Sequence, residues 1–142
     1  AGLELKAALV SYLQGKGHDV TDHGPHEYDA VDDYPDFCIP AAIATSADPE
    51  SLGIVLGGSG NGEQIAANKV AGVRAALVWS IETAKLAREH NNANVISLGG
   101  RMHDEQFCLE LVETFLATAF TGDERHVRRI NQISKFESDG KI

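Results

Sequence analysis

The sequence predicts an α/β fold: a doubly wound parallel sheet with helices on both faces, an α/β/α sandwich. Two observations carry this. Short apolar runs of strand length alternate with longer stretches whose apolar residues recur at helical spacing. The run at 52–56 leads directly into Gly57-Gly58-Ser59-Gly60-Asn61-Gly62, a glycine loop that opens a helix as a βα turn does. Strands separated by helices join through right-handed parallel crossovers, which places helices on both sides of one sheet. The pattern is Rossmann-like.

The elements follow in order. Leu5, Leu9, Tyr12 and Leu13 share one helical face, and Gly17 is placed to end that first helix. A short strand is expected around 18–21, then a polar loop over 22–33. Asp33-Tyr34-Pro35 reads as a helix start leading into 37–46, with Pro35 in the first turn and Pro40 early in the helix. The helix opened by the glycine loop runs to about Val70. Residues 74–78 form the next strand, 81–90 the next helix and 95–98 another strand. Helices near 104–117 and 123–137 close the chain. With no internal repeat and no linker, residues 1–142 are expected to form a single domain. A helix stands first where a doubly wound sheet would begin with a strand, so the fold is expected to lack its first strand in this chain.

Composition removes several classes of function. The 142 residues are 43% hydrophobic and 23% charged, which excludes a disordered or low-complexity chain. No uncharged stretch approaches the roughly 18 residues of a membrane helix, and no basic-then-apolar leader opens the sequence. A formal charge of −9 argues against a nucleic-acid surface. Cys38 and Cys108 are too few for a zinc cluster or a disulfide scaffold. The expectation is a soluble cytoplasmic domain.

Ligands of open parallel sheets bind beyond the carboxyl ends of the strands, so chemistry is sought after each apolar run. The loop at 57–62 lets backbone approach a ligand closely, and the helix behind it turns free N–H groups towards negative charge. It is not a dinucleotide fingerprint, because Glu63 stands where a third glycine would be needed; nor is it a P-loop, which requires Lys there. Glu63 is either a first-turn carboxylate favoured by the helix dipole, worth about 0.3–1 kcal/mol, or a base beside preorganised N–H donors. The second pairing is what proton abstraction next to a carbonyl requires.

Gly99-Gly100-Arg101 places an arginine at the same rim. In the last helix Arg125, His126 and Arg129 share a face, and guanidinium groups suit phosphate oxygens. A solvated helix face is the plainer alternative. His90-Asn91-Asn92-Ala93-Asn94 links a helix to a strand. Asparagine suits the left-handed turn, and His90 is a natural proton donor near neutral pH. His23 and His26 with Asp22 and Glu27 lie in a polar loop without helical register, and no metal site is assigned to them.

Taken together these segments resemble the type B ribose-5-phosphate isomerases, in the sugar-phosphate isomerase family that includes galactose-6-phosphate isomerase subunits. The matching residues are Asp33-Tyr34-Pro35, the run from Gly57 through Glu63 into Gln64-Ile65-Ala66-Ala67-Asn68-Lys69, Arg88-Glu89-His90-Asn91-Asn92-Ala93-Asn94, Gly99-Gly100-Arg101, and Arg125-His126 with Arg129. The resemblance implies a metal-free aldose–ketose isomerase acting on ribose 5-phosphate and ribulose 5-phosphate without a cofactor. It implies a homodimer, sometimes paired into a tetramer, with active sites shared between chains. Many members use a cysteine base at the position matched by Gly57; one branch uses a glutamate matching Glu63, and this chain follows that branch. Ser59 and the backbone of Gly58, Gly60, Asn61 and Gly62 would then stabilise an enediolate. His90 would help open the sugar ring or hold its oxygen and Asn91 bind hydroxyls, while Arg101, Arg125, His126 and Arg129 hold the phosphate; His126 could equally reach the sugar and open the ring.

Such proteins open with a strand, an Asp-His pair and then Ala-Gly, and this sequence starts at Ala1-Gly2. The expectation is that strand and pair are absent and the product is unstable or inactive. Two other functions stay open: isomerisation of another sugar phosphate (allose or galactose 6-phosphate, erythrulose 4-phosphate), and a non-catalytic sugar-phosphate binding subunit.

Overall fold

A computed structural model describes residues 2–142. Expectations about Ala1 and what precedes it lie outside those residues. The first helix, α1 (Gly2–Gly15), buries Leu5, Leu9 and Leu13 at four-residue spacing. Tyr12 is only half-buried, and its hydroxyl donates to Glu113 at 2.9 Å. The chain leaves the helix through Gly17 at φ +88°, a conformation glycine adopts without strain.

The strand expected over 18–21 does not form. His18 N–H is taken up by Leu13 C=O at 3.0 Å, as the end of α1. A strand exists only through a ladder partner, and none of the described residues supplies one to the remaining three positions. Pro35 opens α2 (Pro35–Ala47), with Tyr34 as the residue before it and Pro40 in its second turn.

Three parallel strands make the sheet: β1 (Gly53–Gly57), β2 (Ala75–Leu77) and β3 (Val95–Gly99), in the order β1-β3-β2. The register pairs Gly53 with Val95 and Gly57 with Gly99 on one side, and Ala75 with Val95 on the other. The central strand β3 is buried at all five positions. Side chains alternate between faces. Ile54, Leu56, Ile96 and Leu98 pack with α1, with α4 (Ile81–Glu89) and with Leu111, Val112 and Phe115 of α5 (Glu105–Ala117). Val55, Ala75 and Val95 face α2 and α3 (Asn61–Ala67) through Ala42, Ala66 and Ala67. Helices therefore cover both faces, as the sequence pattern predicts. The helix after the glycine loop stops at Ala67 rather than near Val70, because the Asn68 side chain turns back to bond both the N–H and C=O of Ala75.

Local signals account for the remaining ends. Ser80 and Thr83 form a reciprocal capping box on α4, and Asp104 caps α5 by accepting from Phe107 N–H at 2.8 Å. The last helix, α6 (Glu124–Asp139), ends at Gly140 with φ +72° and buries only His126. Among the described residues no helix is long and apolar enough to cross a membrane.

Candidate active site

At the carboxyl end of the sheet, the loops after β1 and β3 are tied together. Gly100 N–H donates to Gly57 C=O at 2.7 Å, and Arg101 N–H donates to Gly58 C=O at 3.0 Å. Gly60 turns the chain at φ +85°, pressed against Leu77, Ser97 and the backbone of Leu98, where no side chain would fit. From below, the fully buried Ser97 hydroxyl donates to Gly60 C=O at 2.7 Å. The Ser59 hydroxyl, exposed at the tip, accepts from Asn61 N–H at 3.2 Å.

Glu63 lies in the first turn of α3 and is buried, with 7% of its surface exposed. Its carboxylate occupies the space above Gly57 where a Cβ atom would otherwise stand. Tyr34, at the start of α2, lies against Gly62, so close that a Cβ there would come 2.5 Å from its hydroxyl. Cys38, one turn further along α2, is buried on the same side. Burial, together with the nearby Glu63 carboxylate, pushes its thiol up to about 12, so it stays protonated. The Arg101 guanidinium covers Gly58 from the other side. Beside them a cavity of about 860 Å³ runs along the outer edge of β1, between α1 and α2, with Lys6, Asp22, Tyr34, Cys38, Glu63 and Arg101 in its wall.

The other predicted residues sit at the opposite end of the sheet. His90 caps the C-terminus of α4, and the turn that follows enters β3 at its amino end. Asn94 C=O accepts from Gly53 N–H at 2.8 Å, which puts this turn level with the start of β1. A five-residue strand rises roughly 3.3 Å per residue, so roughly 13 Å of sheet separates the two levels. The His90 ring stacks on that of His126, with centroids 4.3 Å apart and planes inclined by 22°. His126 is buried with its Nε2 unpartnered, and burial together with His90 and Arg125 lowers its proton affinity. Asn91, Arg125 and Arg129 surround the pair and are exposed.

The sequence-predicted residues thus fall into two groups. Gly58, Ser59, Gly60, Asn61, Gly62, Glu63 and Arg101 stand at the carboxyl end, and His90, Asn91, Arg125, His126 and Arg129 at the amino end. Sequence reasoning missed Ser97, Tyr34 and Cys38 as neighbours of the glycine loop. Ser97 left a signal as a hydroxyl in an otherwise apolar buried strand, and Tyr34 as part of the matching Asp33-Tyr34-Pro35 run; Cys38 left none. In the loop after α1, Asp22 is engaged by Lys6 at 3.0 Å and by Gly24 N–H at 2.8 Å, while His26 stands 3.8 Å away. Among the described residues no group of three or more His, Cys, Asp or Glu side chains is gathered to hold a metal ion.

A parallel α/β sandwich with a carboxylate set into a glycine loop, an arginine beside it and a stacked histidine pair with exposed arginines at the other end defines a class of proteins that handle small phosphorylated ligands. Within that class, the chain belongs to the Ribose/Galactose Isomerase family, whose model matches residues 1–133. It is 58% identical over 137 residues to a ribose-5-phosphate isomerase B of Mycolicibacterium paratuberculosis, covering 96% of this chain and 86% of that protein. It is 57% identical to one of Mycobacterium tuberculosis, covering 96% and 85%. The crystal structure of ribose-5-phosphate isomerase B from Mycoplasma genitalium with bound ribulose-5-phosphate superposes with a TM-score of 0.94 at 44% identity, covering 97% of this chain and 91% of that one.

Proposed function

We propose that this chain acts as one domain of a homodimeric, metal-independent aldose–ketose isomerase that interconverts D-ribose 5-phosphate and D-ribulose 5-phosphate. The observation that carries the reading is the buried Glu63 carboxylate over Gly57, at the root of a glycine loop whose next residue, Gly58, lies against the Arg101 guanidinium. In the opened aldose, Glu63 removes the proton from C2. The electron pair moves into the C1–C2 bond, and the carbonyl oxygen becomes an enediolate oxygen. Ser59 Oγ–H and the backbone N–H groups of the loop meet that charge where it develops. The hydroxyl proton on O2 passes to O1, C2 becomes the carbonyl carbon, and Glu63 returns its proton to C1. No atom is gained or lost.

Two groups at opposite ends of one sheet cannot meet on one substrate within a chain. A two-fold dimer solves this, because each protomer then offers its glycine-loop end to the partner's histidine end, twice over. The partner's His90 would open the ring, the partner's Asn91 would hold hydroxyls, and the partner's Arg125, His126 and Arg129 would join Arg101 around the phosphate. Exposed apolar side chains support the contact: Ile65, Trp79 and Met102 follow the glycine-loop end, and Val127, Ile133 and Phe136 lie along α6. A cytoplasmic site of action fits the two free, buried thiols.

The test is conversion of ribose 5-phosphate to ribulose 5-phosphate by the unmodified chain and by Glu63→Gln. Turnover is expected, with kcat lowered about 10²–10⁴-fold in the variant. A chain that binds the sugar phosphate without admitting solvent deuterium at C1 or C2 would contradict the reading. So would a variant as active as its parent.

A further inference from the structure

The turn that carries His90 and Asn91 is held by two guanidinium groups that none of the site assignments uses. Arg88, half-buried in the last turn of α4, donates from Nη1 to Ala93 C=O at 2.6 Å and to Asn92 Oδ1 at 3.0 Å. From Nε it donates in the other direction, to Thr118 C=O at 3.2 Å, where α5 gives way to the segment leading into α6. Its guanidinium carbon lies 5.7 Å from the centre of the Phe115 ring. Arg74 supports the same turn from outside, with Nε donating to Asn91 C=O at 3.0 Å and Nη2 to Asn92 C=O at 2.8 Å. Asn92 sits between them with φ at +44°.

Arg88 therefore touches both walls of the basic half of the site: the turn that follows His90, and the connection that delivers Asp123 and His126 to it. A second tie runs parallel to it, with Thr121 N–H and Oγ–H both donating to Glu89 C=O, at 3.3 and 2.9 Å. We infer that Arg88 is a positioning residue that fixes His126 over His90 by fastening the α5–α6 connection to the turn after α4, an inference that rests on the isomerase reading of this site. The guanidinium holds its donors on separate nitrogens in one rigid plane, which fixes the spacing between the two segments; a lysine ammonium gathers its three donors on one nitrogen of a flexible stem and sets no such spacing. Both guanidinium groups are drawn partly out of water and neither has an ion-pair partner among the described residues, although the Glu137 carboxylate favours the charge of Arg74. Burial lowers the proton affinity of both, and the charge of Arg74 lowers that of Arg88 further.

The experiment compares the whole protein with Arg88→Lys, which keeps the charge, and with Asn92→Gly, which removes one acceptor while suiting the left-handed backbone. Asn92→Gly keeps the test open if Arg88→Lys does not fold. Two readouts are taken: steady-state kinetics, and the ring-proton shifts of His90 and His126 in protein labelled at histidine. The rings shield each other while stacked, so those shifts report the clamp without turnover. In a folded variant the shifts are expected to move towards those of free histidine, and kcat/KM to fall about tenfold, more through KM than through kcat. Histidine signals that stay in place overturn the inference, as does a loss of kcat/KM below twofold. An inactive parent whose variants still move the histidine signals would defeat the isomerase reading and leave the clamp standing. An active parent with unmoved signals would do the reverse.

Discussion

The Glu63 carboxylate fills the position that a side chain on Gly57 would have to enter: an ideal Cβ built on Gly57 would overlap Oε1 and crowd both other carboxyl atoms. Glycine at 57 is thus a condition for the place of the carboxylate, and the two residues act as one unit six positions apart. Gly57 does not have a left-handed backbone, so the obstacle alanine meets first is the carboxylate and not backbone strain. Gly57→Ala should lower kcat/KM by about 100-fold, as a displaced catalytic group does. Adding it to Glu63→Gln should cost little more, because both changes remove the same function. Steady-state kinetics on the two single variants and the double variant check this; losses that multiply would show that the residues act separately.

Ser97 ties the glycine loop to the central strand. Gly60 C=O accepts from Ser97 Oγ–H at 2.7 Å and from Gln64 N–H at 3.0 Å, so removing the hydroxyl takes away one of two donors at a buried position. Ser97→Ala should therefore reduce stability by about 0.5–1.5 kcal/mol, the net value of one hydrogen bond. Denaturant unfolding of parent and variant measures it, and an unchanged midpoint would mean that the Gln64 N–H alone holds the loop.

His126 should make the fold sensitive to acid. Burial lowers its proton affinity in the folded chain, with His90 and Arg125 adding to the effect. The unfolded chain takes up the proton at the ordinary histidine value of about 6.5, while the folded chain resists until lower pH. Between those values the unfolded state binds more protons, so stability falls as pH drops below about 6.5. Thermal midpoints followed from about pH 8 to about pH 5.5 should decline more steeply in the parent than in His126→Asn. Parallel slopes would remove His126 as the source.

Much of this was legible in the sequence, for reasons that differ by element. The four-residue spacing of Leu5, Leu9 and Leu13 and Pro35 in the first turn of α2 act locally, and helices follow from them, whereas the caps at Ser80 and Asp104 were found in the structure. The glycine loop and Arg101 are neighbours because parallel strands bring their following loops to one edge. The strand expected over 18–21 failed because strands depend on partners that local pattern does not contain. Tyr34 and Cys38 reach Glu63 by packing of α2 on α3, which leaves no trace in spacing. The separation of His90 from Glu63 was implicit in the element order, since a helix-to-strand turn lies at the opposite edge from a strand-to-helix turn.

The central claim is that one active site needs Glu63 from one chain and His90 from another, and mixing inactive variants tests it most directly. Glu63→Gln and His90→Asn chains are each purified, then unfolded and refolded together in equal amounts. In a two-fold dimer, half of the mixed population pairs one of each, and every such dimer holds one site with neither substitution. Ribose 5-phosphate isomerisation should return to about one quarter of the parental rate. If the mixture stays as inactive as its separate components while refolded parent recovers fully, the site lies within one chain, and the account of two complementary half-sites is wrong.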